Sequence, residues 1–257
     1  MAAGNRTADV PQEPRRLYAA AGIAALAAAL VFRRWLGAEL SLLSSIGVFS
    51  VGVATRPSTV LDWFALLQSH SLAAVTLLNG LDLVNYALVA LVILGLSAAL
   101  RRSSGTAAIV ALVLAVIGEA VYFASNQAFA LLSLSRQYFA AATDAEKSQL
   151  LSAGQAFLAT SNPAAFGTGV FWGFTFVTVS CLILSCAMVR SQVFSRITGC
   201  LGITASALGL GYFFLVILDP PLVFIPLSAS APVLLVWYLF AGVRLLKLSR
   251  SQGPSTP

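Results

Sequence analysis

The sequence predicts an all-α integral membrane helical bundle, with about six transmembrane helices and interfacial amphipathic helices between them. Three observations carry this. Of the 257 residues, 59% are hydrophobic and 9% charged, against roughly 45–50% and 25% in soluble domains. Residues 81–126 read LDLVNYALVALVILGLSAAL, then RRSSG, then TAAIVALVLAVIGEAVYFASN. Two apolar stretches of about 20 residues around a short basic turn form a transmembrane hairpin. Finally, the Lys and Arg residues behind the net charge of +6 sit singly or in pairs at the ends of apolar runs. That distribution orients a membrane protein; it is not the basic stripe of a nucleic-acid binder, so no nucleic-acid partner is expected.

Taken in order, residues 1–16 are polar, with Pro11, Pro14, Arg15 and Arg16, and are expected to be a disordered cytoplasmic tail. The transmembrane domain then occupies 17–248, and 249–257 is a second tail. The first span covers roughly 16–36, with Arg33 and Arg34 snorkelling at the far interface. The run lacks a convincing small-residue cleavage site, which argues against a signal peptide. The stretch ELSLLSSIGVFSVGVAT at 39–55 is short for a span and carries four serines and two glycines. With six spans, ten of the fifteen Lys and Arg fall inside and five outside; a seventh span here gives nine and six. Six spans are favoured, with this stretch folded over the outer mouth.

Ser58 or Thr59 is placed to cap a helix through Asp62, Trp63 and Phe64, ending near His70 and lying amphipathically at the interface. His70, the one histidine of the chain, reads as an interfacial hydrogen-bonding residue. Spans two and three cover roughly 79–100 and 105–126, and AFALLSL carries the third onward as helix. Thr143 and Glu146 form a capping box for a helix to about Thr160, with Leu150, Leu151, Phe157 and Leu158 on one side. Ser161, Asn162 and Pro163 end it. The fourth span, about 167–189, contains Gly169 and Gly173 at small-xxx-small spacing. The fifth runs from about 197 to 218, and the sixth from Leu222 or Leu227 to Leu246, kinked by Pro226 and Pro232. Cys181, Cys186 and Cys200 lack metal or CxxC spacing and read as buried packing residues.

Chemistry points to the hairpin. Asn79, Asp82, Asn85 and Tyr86 recur at three- or four-residue spacing on one helix face, and Glu119, Tyr122 and Asn126 do so on the next. At ~1.5 Å rise per residue, Asn85 stands about 24 Å and Glu119 about 21 Å above the basic turn. Antiparallel neighbours therefore bring both sets to one layer in the outer half of the membrane. Glu119, unpaired in hydrocarbon, is expected to keep its proton; it is either structural glue to Asn85 or Tyr86, or a group that exchanges a proton or holds a polar ligand. Asp82 reads as an interfacial, solvated or capping acid. The ligand-binding set is Glu119, Asp82, Asn85, Tyr86, Tyr122 and Asn126. No GxSxG, HExxH or P-loop pattern is present, so neither an enzyme nor a cofactor or metal site is expected.

Segments 62–91 (DWFALLQSHSLAAVTLLNGLDLVNYALVAL), 121–159 (VYFASNQAFALLSLSRQYFAAATDAEKSQLLSAGQAFLA) and 193–213 (VFSRITGCLGITASALGLGYF) resemble a group of bacterial multi-pass membrane proteins classed as a domain of unknown function. The likeness runs from about Leu17 to Leu248. It implies a six-helix-type, multi-pass protein of the bacterial inner (plasma) membrane and carries no active site to transfer; the charge count places both termini in the cytoplasm. Three functions stay open. The leading one is binding or permeation of a small polar or amphiphilic solute through an outer-half polar cavity. The second is a non-transporting interaction or envelope-maintenance role, with the outer segment 135–162 as contact surface. The third is a lipid-modifying enzyme. Partners beyond the lipid bilayer would be a small-molecule ligand, a second copy or another membrane protein, the latter two docked on small-residue helices.

Overall fold

The computed structural model describes residues 13–44, 57–161, 165–218, 222 and 224–251. These form α1 (Glu13–Ser44), α2 (Val60–Ser69), α3 (Ser71–Leu77), α4 (Gly80–Leu100), α5 (Gly105–Ser125), α6 (Ala128–Ala140), α7 (Asp144–Thr160), α8 (Gly169–Arg190), α9 (Arg196–Leu218) and α10 (Phe224–Ser251). No strand occurs among the described residues.

Six of these helices make a closed ring. α1 packs on α4, α4 on α5, α5 on α8, α8 on α9, α9 on α10, and α10 on α1, while α4 also reaches across to α8 and α10. Among the described residues, five helical runs are long and apolar enough to cross a membrane: Gly80–Leu100, Gly105–Ala140, Gly169–Arg190, Arg196–Leu218 and Ile225–Arg250. This fits a multi-pass membrane protein. The outward faces agree: Val110, Val113, Val116 and Ile117 on α5 and Phe214, Ile217 and Leu218 on α9 are exposed. Such surfaces suit lipid and not water.

The ring is held by close approach, since burial from lipid gives helices no hydrophobic drive to associate. α1 lays Ala21, Ala25 and Ala28, all fully buried, into the bundle. Between α5 and α8, a methyl on Gly118 would lie 2.9 Å from the Gly173 carbonyl oxygen, and one on Gly173 would lie 2.8 Å from that of Gly118. The Gly169/Gly173 pair thus serves a contact within the chain, as do Gly199 and Gly202 of α9 against α8. These small-residue stripes, read from sequence as docking faces for partners, are occupied inside the ring.

Arg15 Nε donates to the Ser249 carbonyl at 3.1 Å. The start of α1 and the end of α10 therefore share a face. Arg101 and Arg102, Arg190 and Arg196, and Arg244, Lys247 and Arg250 lie at helix ends on that same basic face. Arg244 ties the α8–α9 turn to α10 by donating from Nε to the Val193 carbonyl at 2.5 Å.

Several boundaries differ from expectation. α1 begins at Glu13, inside the expected tail, because Pro14 is tolerated in a first helical turn. It then runs unbroken past Arg33 and Arg34 to Ser44, so the beginning of the 39–55 stretch is helix; residues 45–55, and the tail up to residue 12, lie outside the described residues. At the other end α10 continues to Ser251, beyond the expected boundary at 248, with Pro232 inside it. The exposed Cys186 and Cys200 correct the reading of three buried cysteines; Cys181 alone is buried. Their faces of α8 and α9 look outward, where a small apolar thiol costs little.

Opposite the basic face, α2, α3, α6 and α7 form a cap with its own small core of Trp63, Phe64, Leu67, Val75, Ala128 and Leu131. Thr59 and Asp62 cap α2 reciprocally. The buried Trp63 and Phe64 turn one face of this helix onto α6, where Ser135 Oγ donates to the Phe64 carbonyl at 2.8 Å. α3, not foreseen, leads into Asn79, whose φ of 61° is left-handed. Asparagine tolerates that conformation better than most residues, and it turns the chain from the cap into α4.

Candidate functional site

The expected polar faces of α4 and α5 meet. Tyr122 Oη donates to Asp82 Oδ2 at 2.8 Å. The Tyr122 and Tyr86 rings stack, with centroids 3.9 Å apart and 13° between planes. One turn outward, Asn126 Nδ2 donates to the Asn79 carbonyl at 3.0 Å, and its Oδ1 accepts from the Ala128 N–H at 3.1 Å. The two bonds together hold the break in the third helix. Asn126 leaves helical geometry, its side-chain oxygen closes a turn on the Ala128 N–H, and α6 restarts at Ala128. Asp82, expected as a solvated or capping acid, lies partly buried in the first turn of α4 and accepts from the Tyr122 phenol.

Glu119 and Asn85 lie deeper, each 8% exposed. Glu119 Oε1 and Asn85 Oδ1 have no hydrogen-bond partner, so the expected Asn85–Glu119 glue is not made through these atoms. Two residues that the helical periodicity could not reveal complete the surroundings. Cys181 from α8 and Tyr238 from α10 lie within electrostatic reach of Glu119, as does Tyr86. They are contributed by helices distant in sequence, and each reads alone as an ordinary packing residue. Among the described residues no group of His, Cys, Asp and Glu could hold a metal ion. His70, exposed at the α2–α3 junction, stands apart from this cluster.

Outward of the polar layer, a cleft of about 520 Å³ separates the ends of α5 and α7 from the start of α8. Phe157, Phe166 and Ala156 give it an apolar wall, and Ser125, Gln127 and Thr168 a polar one. A recess of about 10 Å³, lined by Asn79, Tyr122, Asn126 and Ser161, shares Ser125 and Gln127 with the cleft. This is about the space of one water molecule. The cleft had no sequence signal, because it arises where a cap helix and two membrane helices fail to fill space. No charged side chain lines it.

Below Glu119 the interior is mostly apolar. Val92, Ile93, Leu96 and Leu100 of α4 are fully buried, as are Ala111, Leu184, Met188 and Leu245 from the facing helices. No protein-family model, curated protein or solved structure matches the chain.

Proposed function

We propose that this is a non-enzymatic, multi-pass protein of the bacterial plasma membrane that binds a small polar or amphiphilic molecule at the outer end of its helix ring. Both termini would be cytoplasmic, since the basic face carries them and positive charge favours the inside. The observation that carries the reading is the continuity between the cleft and the polar layer through Ser125, Gln127, Tyr122 and Asn126. A cleft with one apolar and one polar wall and no charged lining favours a neutral, amphiphilic ligand. The fully packed half below Glu119 favours binding over permeation.

The test is a thermal-shift screen of neutral solutes and lipids on the purified protein, run beside Ala156→Trp, which fills the cleft. A ligand at ~100 times its dissociation constant adds about 2.7 kcal/mol to the folded state. A compound that stabilises the wild type and not Ala156→Trp supports binding in the cleft. Equal stabilisation of both proteins, or none across the screen, contradicts it.

A further inference from the structure

The cleft is the outer end of a lipid-facing seam. On α5, Val110, Val113 and Ile117 are exposed. Ala124, seven residues beyond Ile117 and so on the same side of the helix, is exposed too and forms part of the cleft wall. On α8, Gly169 lines the cleft, and Trp172 and Phe176 follow it on one side at three- and seven-residue spacing. Their rings stack with centroids 5.9 Å apart, and Trp172 is partly exposed. A methyl on Gly118 would lie 2.9 Å from Phe176 Cβ, so Phe176 stands against α5. The two rows therefore border the α5–α8 seam on its outward side and lead up into the cleft.

The level is that of lipid headgroups. Phe166, an exposed cleft residue, meets Phe171 edge-on at 5.1 Å; Phe171 meets Trp172 at 5.2 Å, and Trp172 meets Phe213 of α9 at 6.2 Å. An aromatic girdle with an exposed tryptophan marks the membrane–water interface. Gly169 lies three residues outward of Trp172, about 4.5 Å along the helix. The cleft thus stands where the glycerol backbone and headgroup of a lipid in that leaflet lie.

Its polar wall suits the same molecule. The Thr168 hydroxyl is engaged, donating to the Ala165 carbonyl at 3.1 Å and accepting from the Phe171 N–H at 3.3 Å. Gln127, at the N-cap of α6, makes no capping bond with its side chain. Ser125 and Gln127 bring a hydroxyl and an amide NH2 to the wall, and both groups donate to carbonyl oxygens. No cation lines the cleft, so a phosphate is not what it reads. A chain that remains in the bilayer gains no hydrophobic free energy from the protein, which leaves occupancy to the polar contacts.

We propose that the cleft holds a glycerolipid of the cap-side leaflet, entering sideways along the α5–α8 seam. Its ester carbonyls accept from Ser125 and Gln127, an acyl chain lies against Ile117, Trp172 and Phe176, and its headgroup sits under the end of α7. This rests on the reading of the cleft as a binding site and narrows it to one ligand class.

The test uses the full chain in vesicles containing a phosphatidylcholine with a diazirine near the carbonyl end of one acyl chain. After irradiation, adducts are located by peptide mass spectrometry. The expected result is adducts at Ala124, Phe157 and Phe166 that unlabelled diester phosphatidylcholine suppresses and Ala156→Trp abolishes. Adducts on the exposed Ile23 of α1 and Val243 of α10, which report ordinary lipid contact, should survive in Ala156→Trp. The dialkyl ether counterpart, which lacks the carbonyls, should compete about fivefold more weakly, the scale of one or two lost hydrogen bonds. This competition uses the wild-type chain alone, so it decides even where Ala156→Trp does not fold. Cleft adducts no more saturable than those at Ile23 and Val243 overturn the proposal, as does equal competition by the ether lipid. If a water-soluble solute stabilises the wild type and not Ala156→Trp while the cleft takes no lipid adduct, the lipid assignment fails and the binding site stands; failure of both removes both.

Discussion

At the level of Leu96, α4 buries Val92, Ile93, Leu96 and Leu100 against alanine, leucine and methionine from its neighbours. About three turns higher, the same helix presents Asn85, Tyr86 and Asp82 to a tyrosine, a glutamate and a cysteine. The helices continue from one region into the other, so secondary structure does not distinguish them. Their packing logic does. The inner half packs mostly apolar side chains, with Ser97, Ser185 and Trp237 buried among them, and any change in volume is felt at once. The outer half buries a carboxyl and an amide and leaves a cleft open, and an ionisable group kept at membrane depth is expected to be functional.

The strongest way to break this contrast is to hollow the inner half. Leu96→Ala removes a fully buried side chain and is expected to destabilise by about 2–5 kcal/mol, measured by denaturant unfolding in detergent. An effect below about 1 kcal/mol would mean that this half is loosely packed. Gly173→Ala tests the α5–α8 seam that joins the two halves. Its new methyl would sit 2.8 Å from a backbone oxygen, so the helices must part, at a cost of about 1–3 kcal/mol. Tyr122→Phe sharpens the outer half. It keeps the ring stacked on Tyr86 but leaves Asp82 Oδ2 without its donor, again costing about 1–3 kcal/mol. Asp82→Asn, which retains an acceptor, should cost less; equal losses would show that the bond to the phenol is not what stabilises this layer.

The smallest effect belongs to the cap. Glu146 accepts from the Thr143 and Ala142 backbone N–H groups at 3.1 and 3.2 Å. The Thr143 N–H and then its hydroxyl hold the carboxyl below the usual glutamate range, against a smaller opposing effect of desolvation. Because the folded state favours the ionised form, the contribution is full above the ordinary glutamate value and fades as pH falls through the lowered one. Amide protection factors in the first turn of α7, corrected for the intrinsic exchange rate at each pH, should therefore fall on acidification in the wild type and lose that pH dependence in Glu146→Gln.

How much was legible follows the same division. The hairpin of α4 and α5 and the Thr143 cap are local patterns, and sequence placed them within a residue or two. The shared face of Asp82, Tyr86 and Tyr122 followed from helical spacing, and the structure joins those residues. The break at Asn126 was missed because asparagine stops a helix only when a partner, here the Asn79 carbonyl, takes its side chain. The turn at Asn79 was missed for a like reason, since a left-handed residue is set by what the flanking helices must reach. Cys181, Tyr238 and the cleft lie beyond any local pattern; they enter through helix packing across the ring.

The central claim is that water and solutes reach the outer half and stop there. With Cys181, Cys186 and Cys200 replaced by alanine, single-cysteine variants Ser125→Cys, in the cleft wall, and Ser97→Cys, buried in the inner half, are exposed to a charged thiol reagent in membranes. Rapid labelling of Ser125→Cys and none of Ser97→Cys is the predicted result. Comparable labelling of both would reveal an aqueous path through the ring, and would contradict an account in which the protein binds at one face and is sealed at the other.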